Sequence, residues 1–355
     1  MKKVDNSLIL RLCLPQFAVG LFTTMLNNYL IYFYQPSKES GIPNLIPQGR
    51  LVLGVLTIIG MIKAIGHIID AVTDPLIAAS SDKSRHKDGR RIPMMKKAAI
   101  PFGLCALLLI PAYTIREKDY VRSILPNITL AQSLRHAFSN RHFRIVTLGQ
   151  LLENTGMAFF QACIMYYVTS LMGLAETYSV LILAISIAGS LLMYPMVNKF
   201  AKKRGKKLPI LLGCIVFAAA EIVICFSDVL PGNRLVLACV FALFVSFPFA
   251  VLNVLPGAMM ADIIQYDTVT TGVNQEGIFG AARSFIVKMG NSLAIMIVPS
   301  LVVAGAAAGE NVGVFGLKLT AVAGSVFCIL AIFAFLRYNE REVLAAIAAG
   351  SKEGE

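Results

Sequence analysis

The chain has 355 residues, 57% hydrophobic and 15% charged, and its 32 Lys and Arg against 20 Asp and Glu leave a formal charge of +12. With a mean hydropathy of +0.71, this excludes a soluble domain of the same length, whose core could not hide so much apolar surface. The basic residues cluster in short loops beside apolar runs, so the charge reads as membrane topology and excludes a nucleic-acid partner.

At about 20 apolar residues per crossing, spans are expected near 9–34, 51–78, 97–113, 145–171, 176–197, 208–227, 234–262, 277–305 and 313–336. The first starts with a basic MKK and continues apolar to Tyr34 without a small-residue cleavage site, so it reads as a retained helix with a cytoplasmic N-terminus. Trp is absent, and Tyr29, Tyr32 and Tyr34 are the expected interfacial anchors. In the second span Lys63, His67, Asp70 and Asp74 fall on one helical stripe. Ionisable groups in hydrocarbon are costly, so such a stripe is expected to face a bundle interior or a watery cavity. On the residues alone, the pair could also be a helix end closed by Pro75. The seven cysteines lie mostly in apolar runs with no CxxC, and read as reduced small hydrophobes.

Three basic stretches, 81–97, 114–144 and 199–207, should all be cytoplasmic, yet the first two flank a single span. An internal repeat bears on this conflict. Asp82, Gly89, Arg90, Arg91 and Pro93 are echoed by Asn198, Gly205, Lys206, Lys207 and Pro209 at a constant offset of 116 residues. Two six-helix halves would place six spans between the copies, and the sequence offers three, so about three helices are expected to be missing near 108–114. A natural nine-helix protein is the alternative. The expected division is a partial N-terminal helical bundle over 1–113, a basic cytoplasmic linker over 114–144, a C-terminal six-helix bundle over 145–340 and a polar tail over 341–355.

The run Asp70-Ala-Val-Thr-Asp74-Pro75, followed by Ser81-Asp82 and Gly89-Arg90-Arg91-x-Pro93, resembles the glycoside-pentoside-hexuronide:cation symporters, the melibiose permease family. Met260-Ala261-Asp262-Ile263-Ile264, Glu276 and Phe285-Ile286-Val287-Lys288-Met289-Gly290 resemble that family's last cytoplasmic loop and eleventh helix. The resemblance implies an all-α polytopic membrane protein of the major facilitator fold, incomplete, with about nine helices instead of twelve. It also implies an integral protein of a bacterial-type plasma (inner) membrane, working as a secondary active sugar symporter. The implied partners are a sugar or glycoside, a coupling cation and the lipid bilayer, with no cofactor beyond Na⁺ or H⁺.

By the same resemblance Asp70, Thr73 and Asp74 match the cation site, where the two carboxylates would hold Na⁺ as a metal ion, or H⁺ instead if their pKa is raised. Lys288 matches a cavity-facing lysine that could pair an aspartate or bond sugar hydroxyls, or on its own chemistry snorkel to the interface. Asp82, Gly89, Arg90 and Arg91, with Gly205 and Lys206 in the echo, match cytoplasmic gating loops. Arg283 reads as a phosphate-level anchor, and Glu153, Asn154 and Glu221 either line a cavity or bond a neighbouring helix. Gly20 stands where the family's first helix carries a sugar-binding acid, so sugar specificity should differ. Two alternatives to a working symporter fit parts of the sequence. One is a non-transporting remnant of a deleted symporter gene. The other is an intramembrane phosphoalcohol transferase, suggested by Gly66-x-x-x-Asp70-x-x-x-Asp74, but Leu53 to Thr57 lack the acid and Arg of that motif's first half, so no enzyme is expected.

Overall fold

The computed structural model describes Ile58, Met61, Ile62, Ile65, Gly66, Ile69 and Thr73, together with residues 130–272, 276–307 and 312–353. The first seven are all helical, in line with a span over 51–78. Regular structure in the remainder is also helical: α1 Leu130–Ser139, α2 Arg141–Tyr166, α3 Thr177–Arg204, α4 Lys207–Cys225, α5 Arg234–Thr271, α6 Glu276–Val302, α7 Val314–Leu336 and α8 Glu340–Glu353. Five of these, α3 to α7, are long and apolar enough to cross a membrane. The sixth expected span, α2, is 26 residues long but carries Arg144, Gln150, Glu153, Asn154 and Gln161. Its polar groups are tolerated because most of the helix is buried against α5, α6 and α7 instead of facing lipid.

The packing repeats itself. α2 packs on α6 and α7, and α5 packs on α3 and α4, while α4 meets α7 and α2 meets α5. Exchanging α2, α3 and α4 for α5, α6 and α7 leaves this pattern unchanged, as expected of two three-helix repeats within a transporter half. Small residues set the close approaches: a Cβ on Gly156 would meet Cys328 Sγ at 2.7 Å and the Gly324 carbonyl at 2.8 Å, and one on Gly290 would meet Leu151 Cδ1 at 2.2 Å. At the centre, Phe160 packs against Phe217, Phe241 and Phe249, with centroids 5.5 to 6.1 Å apart.

Helix ends follow local chemistry. Asn140 caps α2 by accepting from the Phe143 amide at 3.1 Å, and Asn233 caps α5 by accepting from Leu235 at 2.9 Å. Lys202, Lys203 and Arg204 fill the last turn of α3, where the helix dipole is negative. α5 runs on to Thr271, past the expected end at 262, because the polar residues that end an apolar span do not end a helix. Its 38 residues reach about 57 Å, beyond a hydrocarbon core of about 30 Å. The overhang is held by His136 and Asn140, which meet the two oxygens of Asp267 at 3.0 and 3.1 Å. His136 belongs to α1, a helix inside the stretch read as a linker, and Asn140 is the residue that caps α2. The stretch read as a polar tail is likewise helical, with Val343 fully buried and α8 packed on α5.

At the opposite end of α4, Lys318 donates to Asp228 Oδ2 at 2.7 Å, and Arg234 donates to the carbonyls of Ser227 and Asp228. The Lys318 hydrogen bond, followed by its charge and that of Arg234, holds the Asp228 carboxyl below the usual carboxylate range. A carboxyl depressed in the folded state contributes stability above its unfolded pKa, about 3.9, and that contribution disappears as pH falls through the folded value. Lys318→Met should therefore melt below the wild type at pH 7, and the two melting temperatures should converge below about pH 4. A gap that stays constant from pH 7 to pH 2 would show that Lys318 acts through packing alone.

Candidate functional site

Two polar regions stand out in the apolar bundle. The first lies between α2 and α6. Glu153 is fully buried, and neither of its oxygens has a hydrogen-bond partner among the described residues. Arg283 of α6 is the charge that faces it, and the Arg283 guanidinium also donates through Nε to Gln150 Oε1, one turn before Glu153. This corrects the reading of Arg283 as a phosphate-level anchor: its guanidinium bonds a neighbouring helix. Gln150 has no long-range signal in the sequence that would have marked it as that partner. Lys288 lies five residues further along α6, half-buried, with its carbonyl accepting from Ser292 Oγ at 2.8 Å.

The isolated polar residues divide differently from either expectation. Asn154 donates to the Gln150 carbonyl of its own helix at 2.9 Å. Glu221 is fully buried in α4 against Gly324 of α7, where an added Cβ would lie 2.0 Å from Oε1, and neither of its carboxylate oxygens has a hydrogen-bond partner among the described residues. Cys163, Cys214, Cys225 and Cys328 are free and buried, as small hydrophobes should be.

The second region is the turn between α3 and α4, built around Gly205 and Lys206. Gly205 has φ +85° and ψ 169°, a conformation open essentially only to glycine, and its amide closes α3 onto the Ala201 carbonyl at 2.9 Å. The turn aims two successive amides at one carboxylate: Lys206 N donates to Glu340 Oε1 at 2.6 Å and Lys207 N to Oε2 at 3.0 Å. Glu340 thus supplies the N-terminal cap that the first turn of α4 cannot make itself. The Lys206 ammonium reaches Asp262 Oδ2 of α5 at 2.5 Å and the Ala258 carbonyl at 3.2 Å. Lys207 Nζ donates to the carbonyls of Leu336 and Tyr338, each at 2.7 Å. One short turn therefore ties α3, α4, α5, α7 and α8 together.

Burial, then the charges of Asp262 and Glu340, push the Tyr338 phenol well above its ordinary pKa, so it stays protonated beside them. His142 packs edge-on against Tyr266 and Tyr338 at 5.3 and 5.8 Å. Asp262 belonged to a recognised sequence run without an assigned role, and Glu340 had none; nothing local in the sequence signals a partner 134 residues away.

Of the other expected site residues, Thr73 is helical and exposed. Asp70, Asp74, Asp82, Gly89, Arg90 and Arg91 lie outside the described residues.

The family model described as MFS/sugar transport protein matches residues 12–122 and 112–340, two stretches that meet where the sequence suggests a missing block. An uncharacterized symporter of Synechocystis sp. is 30% identical over 176 residues, 49% of this chain and 32% of that protein. The raffinose carrier protein of Pediococcus pentosaceus is 22% identical over 240 residues, 65% of this chain and 36% of that protein. The chain thus spans about a third of the length of these relatives. With five described helices able to cross a bilayer and a family match over most of its length, the chain is an integral membrane protein and belongs to the MFS/sugar transport family.

Proposed function

We propose that this chain is a sugar:cation symporter shortened by about three helices in its N-terminal half, with Asp70, Thr73 and Asp74 as the cation site and Lys288 beside the sugar. The observation that carries the reading is the C-terminal bundle: α2 to α7 form a full pair of three-helix repeats, and Gln150, Glu153 and Arg283 supply polar groups along the α2–α6 contact. Sugars need such groups, because each hydroxyl both donates and accepts. The names of the relatives, a symporter and a raffinose carrier, support the substrate class. The second span adds a further argument. Ile62, Ile65 and Ile69 are helical and more than half exposed, as lipid-facing residues should be. By helical periodicity alone, sequence positions 63, 67, 70 and 74 fall about 130° round from that stripe.

In this reading a cation neutralises the paired acids and organises the sugar site, so each ligand raises the affinity for the other. The bundle end that carries the Gly205–Lys206 turn is cytoplasmic, in a bacterial-type plasma membrane, and the turn steadies one facing state. A phosphoalcohol transferase finds no support in the family match. One observation favours a second reading, a remnant that inserts without cycling: the family match breaks at 112–122, between two basic stretches that flank a single span.

Equilibrium binding of radiolabelled raffinose and a panel of nitrophenyl glycosides to the purified protein separates the two. Na⁺ or a lowered pH should tighten binding of a panel member by about tenfold, the usual size of such coupling. Asp70→Asn should erase the cation effect. Unchanged cation dependence in Asp70→Asn would remove Asp70 from the site, and no sugar binding under any condition would leave the remnant.

A further inference from the structure

The turn that fastens the bundle also opens a cavity of about 320 Å³ at the start of α4, walled by Arg204, Lys207, Arg341, Tyr338, Leu208 and Leu211. Arg204 and Arg341 are exposed, and neither has an ion-pair partner among the described residues. The acid on the wall, Glu340, is already occupied by the amides of Lys206 and Lys207. Three cations against one acid leave the cavity with a net charge of +2. The Tyr338 phenol, 1% exposed, has no hydrogen-bond partner among the described residues.

The apolar side of the cavity continues along the bundle. Leu208, Leu212 and Ile215 are 38%, 36% and 50% exposed and lie at helical spacing, forming one stripe down the outside of α4 from the cavity mouth. The cavity also sits level with the ends of two spans, beside α8, which begins just past the end of α7 and exposes Leu344. A cationic cage opening onto an apolar stripe at this depth fits an amphiphile with an anionic head and a hydrocarbon tail. A free inorganic anion would leave the stripe unused.

We propose that this cavity binds the headgroup of an anionic phospholipid, with the phosphate between Arg204, Lys207 and Arg341 and an acyl chain along Leu208, Leu212 and Ile215. The bound lipid bridges the start of α4 to the α7–α8 turn and reinforces the contacts that Glu340 makes there.

The test is thermal unfolding and native mass spectrometry of the full chain in a neutral detergent, titrated with phosphatidylglycerol, phosphatidylcholine or soluble glycerol phosphate. Phosphatidylglycerol should raise the melting temperature saturably, while phosphatidylcholine and glycerol phosphate should not. Arg204→Gln/Arg341→Gln should weaken phosphatidylglycerol binding by about thirty-fold, and Arg341→Gln alone by about five-fold, from about 1 kcal/mol per cation near a lipid surface. Lys202→Gln/Lys203→Gln removes equal charge from exposed positions outside the cavity and should leave the affinity unchanged. Equal stabilisation by phosphatidylcholine, or equal loss in the Lys202/Lys203 variant, would overturn the proposal. So would wild-type affinity in the Arg341 variant. The same saturable shift with glycerol phosphate would replace the lipid by a free anion and overturn it too.

Discussion

Gly316→Ala should destabilise the protein severely. A Cβ at Gly316 would lie 2.0 Å from the Leu301 carbonyl, 2.8 Å from that of Ala304 and 3.0 Å from that of Val302. All three are backbone oxygens in the last turn of α6 or the turn that follows it, so no flexible side chain can yield, and the α6–α7 connection itself must open. The Gly316 amide also donates to Ala304 at 2.9 Å, a bond that the same movement would break. Overpacking of this kind costs about 3 kcal/mol or more when it forces backbone apart. Gly280→Ala in α6 is the control: nothing among the described residues lies within 4 Å of the added Cβ, and in a helix alanine is favoured over glycine by about 1 kcal/mol. Melting in detergent should place Gly316→Ala far below the wild type and Gly280→Ala at or above it. A Gly316→Ala protein that melts with the wild type would mean that α6 and α7 are not packed as described.

Gly205→Ala should be the second large effect, and it has two separable causes. The backbone at φ +85° and ψ 169° strains any L side chain by about 1–3 kcal/mol. In addition, the new Cβ would stand 2.6 Å from Glu340 Oε2, pushing the carboxylate off the amides of Lys206 and Lys207. Hydrogen bonds to a charged group are worth about 1.5–3 kcal/mol each. Gly173→Ala isolates much of the conformational cost, since Gly173 has φ +65° with nothing among the described residues within 4 Å of its added Cβ. The Gly205 variant should lose clearly more stability than the Gly173 variant. Adding Glu340→Ala should then cost Gly205→Ala little, because the contact is already gone. Full additivity of the two substitutions would separate Gly205 from the Glu340 cap.

The bundle was legible because hydropathy and loop charge are local signals. The spans expected from 145 to 336 coincide with α2 to α7 within a few residues at most ends. Where they diverge, the cause is physical: α5 outruns its apolar stretch because Asp262 and Asp267 are held by partners on other elements, which no window of adjacent residues can register. α1 and α8 were hidden for the same reason. Their helices are short, and α8 is stabilised by what it touches, with Glu340 reaching back to Lys206 and Val343 buried on the bundle. Gly205 and Lys206 were legible as a turn through the repeat, and the structure assigns them partners. Arg283 was misread because a basic residue near a helix end resembles a lipid anchor until Gln150 is seen opposite it.

The side of the membrane on which the two basic regions lie can be measured directly. In a cysteine-free version, single cysteines at Ser123, Ser139 and Lys203 can be labelled in intact cells with an impermeant maleimide. Ser139 closes α1, whose His136 bonds the α5 overhang, and Lys203 closes α3, so the fold puts those two at the same end of the bundle. All three should be protected in intact cells and labelled after lysis, with the 114–144 stretch and the Gly205 turn both cytoplasmic. Labelling of Ser139 and Lys203 from outside would invert the bundle, and opposite labelling of those two would contradict the fold.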